Sequence, residues 1–473
     1  MRRIGLLVKK PENIFSNGCI QQALFLKKCL KNMGVEVDFM SIEADYTEFE
    51  ICKDEIIFTD HNFDFSEYGI ICLASLVLLP NRNKDYIDNI KKYNLKLINL
   101  ICGNLGILLQ EEFIFNKHNI LHHYIHPNFS ENWVLEMYDY SQHFINLLTN
   151  KPTFVMPYIW DPDIISEYLS VNNISFKTTK NNSKINLLIF EPNMSIHKSA
   201  FIPLLIAERY NKLHGSNLNK VYVFCSKDVF EHNQDFISGL SIYNENKLES
   251  YGRIVMPYIL NVIEDNNNFL NVVISHNVMN PLNFLHLEMF YLGIPIVHNC
   301  KPFEDNEYYY SDFTTSSEIV NMLDNIRKTF DKEMYTKKCS KIIDLFSSSN
   351  TTRIQQYKDY CIPLLIDTPK NASFYHGSGY LIHIGKDSSI QDFVNTISFL
   401  NKSIFNSINM ECIIENKKIT KHQINKCTPF NQLFNISIIE KTTENIVKSS
   451  SFSTVHLVPL NIDNLQDIIS YSN

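Results

Sequence analysis

The segment ISHNVMNPLNFLHLEMFYLGIPIVHN, residues 274 to 299, carries a single carboxylate, Glu288, inside an otherwise apolar stretch. An ionised carboxylate only accepts hydrogen bonds, and the two adjacent hydroxyls of a ribose are donors that one carboxylate can hold together. Asn280 is a good helix N-cap and Pro281 suits the first helical position, so the pattern predicts a helix from Pro281 to about Leu292 that stops before Gly293. Glu288 then lies about two turns in. The amides near Leu282 and Asn283 point out of the helix start, where phosphate or sugar oxygens bind. Without further context, Glu288 is an acidic residue on a solvated helix face.

Other candidates lie in loops that follow apolar runs. In FEPNMSIHKS, Lys198 stands just before a helix start, so a point charge and amide donors would meet an anion there. Asn193 belongs to the same loop, Arg253 lies in YGRIVMPYIL, and His276 follows the run NVVIS. In PENIFSNGCIQQ, Asn17 and Gly18 form a small-residue turn that lets a backbone approach closely, or an ordinary turn before a helix. The cluster HNILHHYIHP places His118, His122, His123 and His126 at spacings that could share a helix face, but no Glu completes an HExxH pattern. A packed surface is the plainer reading, and no metal is expected. Asp161 and Asp163 in WDPD imitate an Asp-x-Asp metal motif and are read as a turn or helix cap.

The elements that must position these groups alternate along the chain. RIGLLVK, the helix pattern CIQQALFLKKCLKNMG, VEVDFMSI, EIIFTD, YGIICLAS, the helix pattern NKDYIDNIKKYN and KLINLICG form one cycle. Apolar runs separated by amphipathic helices predict a parallel sheet covered on both faces. After KTTKNNSK a second cycle begins with INLLIF, the helix pattern AFIPLLIAERYNKLH, VYVFCSK, NVVIS and IPIVHN. Between them, FVMPYIWDPDIISEYL reads as a proline-stiffened connection. From about residue 371 the runs GYLIHIG, MECIIEN, FNISIIEK and STVHLVPL, with the helix pattern SIQDFVNTISFLNKSIF, predict a small α+β appendage. The fold class is thus α/β: two doubly wound domains, 1–155 and 156–370, and the α+β appendage 371–473 of unassigned role.

Composition removes several classes. The chain of 473 residues has 45% hydrophobic and 20% charged residues, which excludes disorder. Net charge is −8 with scattered Lys and Arg, so no bulk nucleic-acid binding is expected. MRRIGLLVKK is too short in apolar residues for a signal peptide, and IICLASLVLL is half a membrane span. Eleven cysteines without a CxxC pair predict reduced, buried thiols rather than zinc ribbons or a disulfide framework. The expectation is a soluble cytoplasmic protein without a transmembrane segment. No Gly-x-Gly-x-x-Gly follows the first strand and no Walker A loop occurs, so dinucleotide oxidoreductases and P-loop NTPases lose their anchors.

Residues 280 to 297 resemble the nucleotide-sugar loop of retaining GT-B glycosyltransferases of the group-1-like class. That pattern, Glu-x-Phe-Gly, four residues, then Glu-Ala-Met-Ala-x-Gly-x-Pro-Val-Val, lies without a gap on Asn280-Pro281-Leu282-Asn283 and on Glu288 through Gly293 and Pro295 to Val297. The first glutamate is Asn280 here and the glycine is Asn283. The resemblance implies that Glu288 holds the nucleotide ribose and that the segment around Asn280 faces the donor sugar. Of the cationic pair that clamps the diphosphate in that class, Lys198 is kept, Asn193 stands where arginine should be, and Arg253 is a candidate replacement. The architecture of residues 3 to 345 follows the resemblance, and residues 275 to 299 carry its specificity. It implies two Rossmann-like domains, acceptor side first, around a cleft. It also implies transfer of a sugar from a nucleoside diphosphate sugar, a UDP-sugar by preference, to an unassigned glycan, protein or other acceptor. The reaction would be retaining and need no metal or other cofactor, with no side chain assignable as nucleophile or base. Two alternatives stand beside it: a noncatalytic GT-B-like protein that binds a glycan or partner, and glycosylation of modified DNA bases.

Overall fold

The structure, a computed structural model, describes residues 2–11, 14–16, 18–49, 53–76, 78–79, 82–93, 95–115, 121–125, 127–174, 183–254, 269–281, 284–311, 314–365, 375–384, 410–414, 436–439 and 452–459. Residues 1–358 form one compact unit and residues 359–473 a second.

The first unit holds two parallel sheets. The first has seven strands: β1 (Arg3–Leu7), β2 (Val37–Ser41), β3 (Ile56–Phe58), β4 (Tyr68–Leu73), β5 (Lys96–Ile101), β6 (Glu131–Leu135) and β7 (Thr153–Met156), in the order β3-β2-β1-β4-β5-β6-β7. The second has β8 (Ile185–Ile189), β9 (Leu218–Val223), β10 (Leu248–Ser250), β11 (Leu270–Ser275) and β12 (Ile296–His298), in the order β10-β9-β8-β11-β12. Both orders reverse direction beside their first strand. In such doubly wound sheets the crevice at the carboxyl ends of the strands flanking that point receives ligands. Those strands are β1 and β4 in the first sheet and β8 and β11 in the second.

The strands are apolar because both faces are covered: β4, β8 and β11 are buried along their whole length. The asparagines they carry are paired across strands. Asn186 Nδ2 donates to Asn271 Oδ1 at 2.9 Å, and Asn219 Nδ2 donates to Asn186 Oδ1 at 2.8 Å, which ties β9, β8 and β11 near their starts. In the first sheet Asn99 Nδ2 donates to Asn132 Oδ1 at 3.2 Å.

Two helices join the halves of this unit. The helix Gly18–Asn32 follows β1, and the helix Phe284–Leu292 follows β11. The second is buried nearly all round, as expected for a helix without a polar face. It ends at Gly293, whose φ of +66° suits glycine at the position after a helix, and a Cβ there would lie 2.6 Å from Thr336 Oγ1. Phe284 packs on Phe25 and Tyr158, with ring centroids 6.1 and 5.8 Å apart. A Cβ on Gly18 would come within 2.7 Å of Phe284, so the absence of a side chain is what lets the first helix close on the second.

The stretch expected to be a plain connection is more ordered. Its first residues are β7, and its last form the helix Asp163–Val171. Asp161 and Asp163 serve this junction: both pair with Lys28, and Asp161 also accepts from Ser347 Oγ at 3.0 Å.

The second unit holds β13 (Tyr375–Ile384), β14 (Met410–Ile414), β15 (Ile436–Ile439) and β16 (Phe452–Pro459), in the order β15-β14-β13-β16. All of its described pairings are parallel, and parallel neighbours require crossover connections. The helix expected over SIQDFVNTISFLNKSIF lies outside the described residues. No described helix is long and apolar enough to cross a membrane.

Candidate functional site

Two loops leave the carboxyl ends of β8 and β11, the strands flanking the switch point of the second sheet. The first runs through Glu191, Asn193 and Lys198, and the second through His276, Asn277 and Asn280. They are joined as an isolated antiparallel bridge between Lys198 and Asn277. Non-glycine residues take positive φ at Asn193 (54°) and Met279 (48°), so these loops turn more sharply than most side chains favour.

Glu191, which the sequence reading passed over, is fully buried at the end of β8. Ser275 Oγ, at the end of β11, donates to its Oε1 at 2.7 Å, while Oε2 has no hydrogen-bond partner among the described residues. Burial pushes its carboxyl up to about 7, with Ser275 and Lys198 holding it down. The Lys198 amine is half-buried and makes no hydrogen bond or ion pair among the described residues. Burial lowers it, and the nearby Glu191 and Cys19 raise it. His197 beside it is held to about 4 by burial and by the Lys198 charge.

From Glu191 a buried polar chain crosses between the two sheets. Tyr138 Oη donates to Asn280 Oδ1 at 2.7 Å, Asn280 Nδ2 to Asn277 Oδ1 at 3.4 Å, and Asn277 Nδ2 to Ser275 Oγ at 3.1 Å, which in turn donates to Glu191. Every donor points the same way, and the chain ends on the carboxylate. Further ties run alongside. Tyr140 Oη and Asn104 Nδ2 both donate to the Met279 carbonyl, at 2.9 and 2.6 Å. Ser195 Oγ and the Ile196 amide both donate to Glu111 Oε1 at 2.8 Å. The first half of the unit thus grips both loops of the second.

Glu288 lies in the helix Phe284–Leu292, only 7% exposed, and has no hydrogen bond or ion pair among the described residues. Burial alone pushes its carboxyl up to about 8, and its charge acts on the Tyr158 hydroxyl. A carboxylate in this setting is costly unless something supplies donors.

The remaining sequence candidates fall as follows. Asn193 is spent on the protein backbone: its Oδ1 accepts from the Ala200 amide at 2.8 Å, and its Nδ2 donates to the Glu191 carbonyl at 3.2 Å and, after β9, to the Cys225 carbonyl at 3.1 Å. Arg253 is exposed after β10, and its charge acts on the Cys225 thiol. His276 is stacked on Tyr310 at 6.0 Å and bonded to its hydroxyl at 2.9 Å. Both line a cavity of about 420 Å³ with Ile202, Leu205 and Ser311. Pro281 offers its carbonyl to the Cys300 thiol. Gly18 gives its space to Phe284. Asn17, Leu282 and Asn283, the expected phosphate-facing amides among them, lie outside the described residues, as do His118 and His126 and the side chain of His122. His123 is buried against Tyr124 and Phe129. Among the described residues no three His, Cys, Asp or Glu groups converge in a way that could hold a metal ion.

Among solved structures, the chain is similar to a glycosyltransferase from Rickettsia africae ESF-5, at 12% identity over 78% of this chain and 100% of that one, with a TM-score of 0.48. It is similar to an alpha-glucosyltransferase in complex with UDP and a 13-mer DNA containing an HMU base, at 9% identity over 77% and 99% with a TM-score of 0.47. It is also similar to the N-terminal domain of trehalose-6-phosphate phosphatase from Candida albicans, at 10% identity over 77% and 96% with a TM-score of 0.48. No curated protein matches the chain. Residues 4–361 match the profile of the family described as "Protein of unknown function (DUF2827)", and the chain belongs to that family.

Proposed function

We propose that the chain is a GT-B-type glycosyltransferase that transfers a sugar from a nucleoside diphosphate sugar, with the donor seated on the second sheet at the ends of β8 and β11. The observation that carries this reading is Glu288, a buried carboxyl with no hydrogen-bond donor or cation on it among the described residues. A ribose diol supplies two O–H donors and would relieve that cost. Lys198 would face the diphosphate as a point charge, and burial in the cleft strengthens such an interaction. Charge developing on the departing diphosphate would be met there, so catalysis would come from positioning and electrostatics. A UDP-sugar is the preferred donor in this reading.

A second reading, a noncatalytic GT-B-like binder, is favoured by one specific observation. The amides of Asn193 and Asn280, at the positions where the resembled class carries its cation and its first glutamate, are both engaged by the protein itself. Incubation with UDP-, GDP-, ADP- and TDP-sugars, followed by assay of nucleotide release, separates the two. Release that is lost in Glu288→Gln supports the enzyme, whereas saturable binding without release supports the binder.

A further inference from the structure

We propose that Gln22 and Tyr158 complete the nucleoside seat: the Gln22 carboxamide and the Tyr158 hydroxyl hydrogen-bond the ribose hydroxyls held by Glu288, a proposal that rests on the donor reading above. Both side chains are fully buried. Among the described residues neither the nitrogen nor the oxygen of the Gln22 carboxamide has a hydrogen-bond partner, nor has Tyr158 Oη. Folded chains rarely leave such groups unpaired, because each loses its bonds to water and gains none in return. Together with Glu288 they make three uncompensated polar side chains that one ligand would satisfy.

The three groups surround one aromatic cluster. In the helix Gly18–Asn32, residues four and seven apart share a face, so Gln22 stands between Gly18 and Phe25. Both of these meet Phe284: a Cβ on Gly18 would lie 2.7 Å from its ring, and the Phe25 ring is centred 6.1 Å from it. In the helix Phe284–Leu292 the same spacing puts Glu288 between Phe284 and Tyr291. Tyr291 packs on Trp160 at 6.4 Å and Trp160 on Phe25 at 6.2 Å, so this face turns toward the first helix along its length. Tyr158 joins from the segment after β7, its ring 5.8 Å from that of Phe284. The Glu288 charge acts on its hydroxyl. A ribose hydroxyl that gives its proton to Glu288 keeps lone pairs on its oxygen, and a phenol O–H or an amide N–H fills them. An apolar group in the same place would leave all three side chains unpaired. Ordered water there would instead make Gln22 and Tyr158 structural, and removing either would then weaken the unliganded protein.

The full chain and its Gln22→Met and Tyr158→Phe variants, both close in shape to the wild type, are titrated with the tightest binder among UDP, GDP and ADP. Each titration is repeated with the 2′-deoxy and 3′-deoxy counterparts. Either substitution should weaken ribonucleotide binding by about threefold to tenfold and narrow the preference over at least one deoxy counterpart. In urea without nucleotide, both variants should unfold at midpoints no lower than the wild type, since each loses a polar group that the protein leaves unpaired. Preferences unchanged in both variants, with that of Glu288→Gln lost, would overturn the proposal and leave the donor reading standing. Lower midpoints in the unliganded variants would also overturn it, because the groups would then be paired inside the protein. Failure of the wild type to bind any of the three nucleotides would remove the donor reading itself, and this proposal with it.

Discussion

At the scale of single residues, Glu288 and Glu191 show what two buried carboxyls of the candidate site cost the fold. Each is a buried carboxyl held above its ordinary range, to about 8 and about 7. Between the unfolded carboxyl value near 4.5 and these raised values, the folded chain binds more protons than the unfolded one, so this part of its stability falls as pH rises. Glu288→Gln removes the ionisation, and its melting temperature should exceed that of the wild type by a margin that grows from pH 5 to pH 9. The gain should reach about 5 kcal/mol at the alkaline end. A margin independent of pH would show that Glu288 is not titrating in the folded state. His298 acts on the acid side. Burial and His286 hold its imidazole well below the ordinary range, so the unfolded chain gains the proton first and stability is lost as pH falls below about 6.5. His298→Gln should flatten the acid limb of the melting curve, measured between pH 7 and pH 5.

At the scale of elements, the polar chain from Tyr138 to Glu191 fixes how the loops after β8 and β11 meet the first sheet. Tyr138→Phe deletes the first donor and leaves buried Asn280 Oδ1 without it, which should lower stability by about 1–2 kcal/mol in chemical unfolding. The same substitution in an Asn280→Ala background should cost markedly less, since the partner is already gone. Equal losses in both backgrounds would mean that the tyrosine acts by packing alone.

The elements also show what was legible beforehand. β4, β8, β11 and the helix Gly18–Asn32 stood out because buried parallel strands and the helices covering them leave long apolar runs. β6 did not, because Glu131 and Asn132 interrupt its apolar character. Only the fold shows Asn132 Nδ2 donating to Thr149 at 3.1 Å and Glu131 paired with Lys96. β7 was hidden by the prolines that follow it, and β10 is three residues long and polar. The helix stop at Gly293 was readable because φ there is positive, a local requirement. Glu191 was missed because its meaning depends on Ser275, which is 84 residues away in sequence and adjacent only once β8 pairs with β11. Its one local signal was an acidic residue directly after the run INLLIF.

At the scale of the whole molecule, two doubly wound sheets share one compact unit, and the boundary of that unit after Lys358 nearly coincides with the end of the family match at residue 361. A chain ending at residue 365 should therefore keep the unfolding midpoint of the first unit within about 3 °C in calorimetry, a shift of about 1 kcal/mol. Loss of a cooperative transition would show that residues beyond it complete the core. The unit as a whole is proposed to bind a nucleoside diphosphate through a ribose diol on Glu288. The most direct measurement is calorimetric titration with the tightest binder among UDP, GDP and ADP, set against its 2′-deoxy counterpart. Wild-type protein should prefer the ribonucleotide by about tenfold or more, and Glu288→Gln should lose most of that preference while retaining diphosphate-dependent binding. Equal affinity for the two sugars in the wild type, or a preference untouched by the substitution, would contradict the account.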